Sequence, residues 1–173
     1  MFFEAINAGL LQPPFYYTSA PISMNFAAIG SIISHEITHV FEKKRKTFSE
    51  KTKAMNLWRK ESKQKYEQRV NCFQKQYASY TESKTGRKLN GRRTINDNIA
   101  DNNGLRQCIQ YSLLYIWCGN DSKKYTDDLI IWGTHSPRRF RVNVPLSNSF
   151  EFAKAFDCKI GSKMNPIDKC MIW

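Results

Sequence analysis

The stretch His35-Glu36-Ile37-Thr38-His39 sets two imidazoles four residues apart, with a carboxylate directly after the first. On a helix, residues i and i+4 project from one face, so His35 and His39 can offer nitrogen donors to a single ion. Zinc held this way makes water acidic, and Glu36 between the two ligands can take the proton as general base. The same spacing also arises by chance on helix surfaces, so zinc chemistry here requires a third protein ligand. Only three histidines occur in the chain, and this stretch uses two of them.

Candidates for that ligand lie in "NDNIADNNG", where Asp97 follows His39 by 58 residues. Asp97 and Asp101 are again i and i+4, so one carboxylate can ligate the metal while the other orients a ligand imidazole. A capping or solvated pair near a helix start would show the same spacing, which leaves the assignment open at this point.

These residues need helices to carry them. Apolar side chains recur at Ile29, Ile33, Ile37, Val40 and Phe41, predicting a helix from Asn25 with His35, Glu36 and His39 at the edge of its apolar stripe. Tyr66, Val70, Phe73, Tyr77 and Tyr80 predict a second helix with lysines and arginines on its other faces. Thr94 is expected to start a third, bearing Ile95, Ile99 and Leu105 and continuing towards Cys118. Pro13 and Pro14 predict an extended opening. "SKTGRKLNGRR" reads as an exposed basic loop, "CGNDSKK" and "GTHSPRR" as loops, and "RVNVPL" as a short strand. Asn148 followed by Glu151 resembles a helix start before Phe152 and Phe156. The expected fold class is mainly α, with a minor extended component, in one domain covering residues 1–173.

An apolar content of 41% suits a folded chain. The net charge of +12 is concentrated: residues 42–93 hold 17 basic and 5 acidic side chains, and the remainder is neutral. That segment reads either as a solvated helical face or as a surface for heparin-like polymers or nucleic acid. The five cysteines form no CxxC pair, and their odd number leaves one without an internal partner. The opening "MFFEAINAGLL" carries Glu4 and lacks the pattern of a signal peptide. No run approaches the roughly 18–20 apolar residues that span a bilayer.

The motifs "LLQPPFYY", "HEITHVF", "NIADNNGL", "HSPRRFRV", "EFAKAFDCKIGSKMNP" and "CMIW" occur in the order seen in neprilysin-type zinc peptidases, peptidase family M13, which include the endothelin-converting enzymes. The resemblance runs from about Ala8 to Trp173. It implies a thermolysin-like zincin fold and a zinc endopeptidase acting on oligopeptides, with one Zn2+ ion held by His35, His39 and the residue at position 97. By the same likeness Glu36 is the catalytic base, Asp101 orients the first histidine ligand, His135 stabilises the tetrahedral oxyanion and Arg141 holds a substrate carbonyl. The resemblance further implies the C-terminal catalytic portion of a larger cell-surface or extracellular enzyme. Its partners would be peptide substrates and an N-terminal domain, with the membrane reached only through an anchor in that domain and no specific nucleic acid. Cysteines matching Cys118 and Cys170 pair with that N-terminal part in the family, leaving Cys72 and Cys158 able to pair with each other.

This chain departs from the family pattern at the metal. Asp97 stands where the family has glutamate, one C–C bond or about 1.5 Å shorter. The helices must therefore close up, or a water must bridge. Asn103 replaces a glycine, "EKKRKTFSEKTK" replaces an acidic, Gly-rich stretch, and "AAIG" replaces "GGIG". The alternative reading is a catalytically weakened relative that acts as a non-enzymatic binding protein.

Overall fold

The computed structural model describes residues 6–39, 59–107 and 119–172. Among the described residues six α-helices follow one another: α1 (Ile22–His39), α2 (Lys60–Ser79), α3 (Ile95–Gln107), α4 (Lys123–Trp132), α5 (Arg138–Asn148) and α6 (Phe150–Ala155). The only β pairing among the described residues is two isolated bridges, Thr81 with Lys88 and Ser162 with Asn165. The predominantly helical class is as expected.

The centre of the fold is α3, which packs along α1 and also meets α5 and α2. The buried face of α1 is Ala27, Ala28, Ser31, His35 and Thr38, not the isoleucine stripe, and Ile37 is 52% exposed. The reason is the separation of the two helices. A Cβ on Gly104 would lie 2.8 Å from the Ser31 carbonyl oxygen and 3.0 Å from the His35 nitrogen. Only small side chains fit at such a crossing, so helix-to-helix contact selects the small, polar face. Ile29 and Ile33 are half-buried, Ile37 turns outward, and Val40 and Phe41 lie outside the described residues. Asn103 adds a cross-link, donating from Nδ2 to Thr38 Oγ1 at 2.8 Å.

The main core lies on the other side of α3, where Phe73 and Tyr77 of α2 meet Ile99, Ile130, Phe140, Val144 and Ile172. A buried amide chain runs through it: Asn102 Nδ2 donates to the Tyr77 hydroxyl at 3.0 Å, and Asn148 Nδ2 donates to Asn102 Oδ1 at 2.8 Å. Such a network is stabilising only when every member is satisfied, and it therefore fixes the register of α2, α3 and α5 against one another.

Several expectations are corrected. The opening is not extended: Ala8–Leu10 forms a 3-10 turn, because Asn7 Oδ1 accepts from the Gly9 N–H at 3.1 Å. "RVNVPL" is not a strand but the body of α5. Its apparent alternation came from Arg141, which is polar because it pairs inside the protein. The sixth helix is capped by Ser149, whose Oγ accepts from the Phe152 N–H at 3.0 Å, one residue later than Asn148. The family likeness that set Cys170 against an N-terminal part and left Cys72 able to pair with Cys158 is also corrected. Cys72 is bonded to Cys170, and Cys158 is free. The bond ties the C-terminal tail to α2, where Arg69 Nη1 also donates to the Ile172 carbonyl at 2.7 Å. The onward run of the third helix to Cys118, with Cys108, and the basic stretch from Glu42 to Trp58 lie outside the described residues.

The loop after α2 is basic but not simply solvated. Leu89 is buried in the core, and Gly91 sits so close to α2 that a Cβ would lie 2.3 Å from the Gln74 carbonyl oxygen. Arg87 pairs with Asp127, and Arg93 donates to the carbonyls of Ile130, Ile131 and Gly133 at the end of α4. A cation on the last carbonyls of a helix satisfies orphan acceptors and opposes the negative end of its dipole. Part of the charge excess thus serves to strap α4 to the start of α3.

Candidate metal centre

The buried face of α1 and the first two turns of α3 bring His35, His39 and Asp97 together. His35 Nε2 and His39 Nε2 are 2.9 Å apart, and Asp97 Oδ1 lies 3.8 Å from the former and 3.9 Å from the latter. Four-coordinate zinc with bonds of about 2.0–2.1 Å separates its ligand atoms by about 3.3 Å. A triangle with the three observed sides has a circumradius of about 2.1 Å, so one point is a bonding distance from all three atoms. The Asp97 oxygen thus lies within reach of a point shared with both imidazoles, on the helix that Gly104 packs closely against α1.

The donor chemistry agrees with the distances. Asp101 Oδ1 lies 2.8 Å from His35 Nδ1. The carboxylate accepts the Nδ1 proton, which leaves the Nε2 lone pair directed towards His39 and Asp97. Two imidazole nitrogens and a carboxylate oxygen facing one point are suited to a borderline-soft divalent cation such as zinc. Asp97 is only 13% exposed, so little water reaches it to offset its charge.

Asp101 is itself held from behind. Arg141 on α5 donates from Nε to Oδ2 and from Nη2 to Oδ1, both at 2.7 Å. Burial alone would raise the Asp101 carboxyl, but the Arg141 hydrogen bonds and His35 outweigh it and hold the group below the usual carboxylate range. Burial would likewise lower the Arg141 guanidinium, and its bonds to Asp101 reverse that. The two charges keep each other ionised inside the protein.

His135 stands on the loop between α4 and α5, with Nε2 2.8 Å from Asp97 Oδ1 and Nδ1 3.2 Å from Thr134 Oγ1. Glu36, His35, Asp101, His135 and Arg141 line one cleft of about 560 Å³, completed by Ser31, Ile32, Leu105, Tyr125 and Leu129 among others. The seven residues expected at the site are thus in one place. Asn98, Ser136 and Arg93 were not anticipated. Ser136 Oγ donates to Asn98 Oδ1 at 2.8 Å, and Asn98 Nδ2 donates to Thr94 Oγ1 at 2.8 Å, pinning the His135 loop to α3. The available signal was weak: an Asn and a Thr on the core-facing side of a helix, where apolar residues are usual.

A profile of peptidase family M13 matches residues 1–113 and 106–172, which together take in nearly the whole chain. This chain belongs to peptidase family M13. Neprilysin-2 of Caenorhabditis elegans is 37% identical over 193 residues, covering 96% of this chain and 26% of that protein. Human endothelin-converting enzyme 1 is 33% identical, covering 96% of this chain and 25% of its own length. Among solved structures, PepO from Lactobacillus rhamnosis superposes with a TM-score of 0.81 at 26% identity, over 92% of this chain and 27% of that one. The M13 chain described here spans about a quarter of the length of the relatives it matches. The expected zincin class of fold agrees with these neighbours. None of the helices described is long and apolar enough to cross a membrane.

Proposed function

We propose that this M13 chain forms the zinc site of a metalloendopeptidase, holding one Zn2+ ion through His35, His39 and Asp97 and cleaving oligopeptides in the adjoining cleft. The observation that carries the reading is the convergence of three donor atoms on one point at zinc-bonding distance, with Glu36 in the same cleft. Zinc, when bound, supplies Lewis acidity that polarises a carbonyl and makes water a competent nucleophile at neutral pH. Glu36 takes the proton from the attacking water and passes it to the departing amine as the C–N bond breaks. Asp101 and Arg141 keep His35 in the tautomer that leaves Nε2 unprotonated. The apolar part of the cleft, Ile32, Leu105 and Leu129, offers a place for a hydrophobic peptide side chain and keeps water from the reacting carbonyl.

The proposal extends to partners and place. The peptide substrate would lie between this chain and the N-terminal portion of a longer parent protein, outside the cell or at its surface. The Cys72–Cys170 bond favours an oxidising compartment of that kind.

The test is Glu36→Gln in the full chain. It is expected to retain stoichiometric zinc and lose cleavage of a fluorogenic peptide. Undiminished cleavage by the variant would overturn the role of Glu36, and absence of zinc from the unmutated chain would overturn the metal site. The reading of a weakened, non-enzymatic relative rests on Asp97 and on the chain spanning about a quarter of its relatives' length. It requires that Asp97→Glu raise zinc affinity and cleavage steeply, whereas the site geometry predicts little change.

A further inference from the structure

We propose that His135 is a positioning residue for Asp97, holding the short carboxylate in the pose from which it can ligate. The inference rests on the reading of His35, His39 and Asp97 as a zinc site. Its carrying observation is that His135 Nε2 is 2.8 Å from Asp97 Oδ1, the same oxygen that faces both ligand imidazoles. A carboxylate oxygen has two lone pairs, so Oδ1 can accept the Nε2–H of His135 with one and bind a cation with the other.

Three further contacts show that this is a built arrangement. Arg93, just before α3, donates from Nε to the Gly133 carbonyl at 3.0 Å. Ser136, 2% exposed, donates to Asn98, which is 0% exposed and next to Asp97. Ser136 Oγ also lies 3.3 Å from Thr94 Oγ1. Neighbouring residues therefore pair in parallel, 98 with 136 and 97 with 135, and the loop cannot slide without breaking buried hydrogen bonds.

The chemical reason follows from the side-chain length. Aspartate has one fewer torsion than glutamate, so fewer of its rotamers can set an oxygen opposite both ligand imidazoles. A hydrogen bond from His135 to that oxygen favours the productive rotamer before metal arrives. The arrangement has a consequence for the reaction. A neutral imidazole has one N–H, and while Asp97 holds it that proton cannot also be donated to a developing oxyanion. In this chain His135 serves the metal ligand first, and the oxyanion role implied by family resemblance must be met by opening that bond or by another donor.

The test measures zinc affinity by competition with a chromophoric chelator, and the Co2+ absorption spectrum as a report on ligand geometry. The proteins are the unmutated chain, His135→Ala, His135→Gln and His39→Ala. His135→Ala should weaken zinc binding by about 10–100-fold and alter the Co2+ spectrum. His135→Gln should stay within about threefold of the unmutated chain, because its amide N–H occupies nearly the place of Nε2–H. Since His135 is 44% exposed, neither change should disturb the core, and unchanged melting temperatures check this. Equal zinc affinity for the unmutated chain and His135→Ala overturns this inference alone, and so does a His135→Gln affinity as weak as that of alanine. If the unmutated chain and His39→Ala are equally unable to bind zinc, the metal site itself fails and the inference falls with it.

Discussion

Replacing Gly104 with alanine tests whether the metal site depends on the closeness of α1 and α3. The added Cβ would lie 2.8 Å from the Ser31 oxygen and 3.0 Å from the His35 nitrogen, both backbone atoms that cannot rotate away. Ordinary contact needs about 3.4 Å or more, so α3 must withdraw by roughly 0.5 Å at this point. Asp101 is one turn away on the same helix and would follow, stretching its 2.8 Å contact with His35 Nδ1 to about 3.3 Å, past the usual hydrogen-bond range. Asp97, already 3.8 and 3.9 Å from the two Nε2 atoms, would move further out. A binding constellation tolerates about 0.5 Å before its ligands lose register, so zinc affinity should fall by about tenfold or more. Overpacking costs about 1–3 kcal/mol, and the better helix propensity of alanine offsets about 1 kcal/mol of that. The net loss of about 0–2 kcal/mol corresponds to a fall of up to roughly 8 °C in Tm for a chain of this size. Thermal melting followed by circular dichroism and zinc titration against a chelator read the two effects separately. An alanine variant that is more stable and binds zinc as well as the unmutated chain would refute the claim that contact at Gly104 sets the site.

Two further substitutions probe the supports of the site. Arg141→Ala leaves the Asp101 carboxylate buried without its bidentate partner, so urea denaturation should show a loss of about 3–5 kcal/mol, and lysine should recover only part because it cannot make the paired bonds. Cys72→Ser opens a link between residues 98 apart in sequence and should cost about 4–5 kcal/mol by loop entropy, whereas Cys158→Ser should stay within about 0.5 kcal/mol. A loss in Cys158→Ser as large as that in Cys72→Ser would instead point to a bond between those two cysteines.

The sequence disclosed the metal residues better than the elements that hold them. His35, Glu36 and His39 carry a spacing that only a helix can use, and the i, i+4 relation of Asp97 and Asp101 was legible for the same reason. The 4, 3, 4, 3 steps from Tyr66 to Tyr80 found α2 because that helix has one buried face and one wet face. Helix α5 was misread because it is buried at Phe140, Val142 and Val144 through Asn148, which erases the helical period, while Arg141 and Asn143 mimic strand alternation. Helix α4, capped by Ser122 Oγ accepting from the Tyr125 N–H at 3.1 Å, was read only as the end of a loop. The face that α1 presents to α3 was misjudged for a different reason. Hydrophobicity predicts which residues avoid water, but close helix packing asks which residues are small, and at Gly104 that second demand wins.

The Asp101–Arg141 pair bears on the choice between an active and a weakened site. A buried ion pair is a poor source of stability, since desolvation of both charges consumes most of their attraction, and apolar residues of similar size commonly do as well. Its value has to come from elsewhere. Here both guanidinium bonds end on the one carboxylate that orients His35, and that imidazole in turn faces His39 and Asp97. If Asp97 had merely lost its function, nothing in folding energetics would require α1, α3 and α5 to keep their charges aligned on a common point. The shorter side chain at position 97 is met from two sides: Gly104 brings the helices together, and His135 holds the carboxylate. Both features bear on where the Asp97 carboxylate sits. Loss of either should therefore be felt more strongly at Asp97 than it would be at a glutamate, whose extra torsion could absorb the displacement.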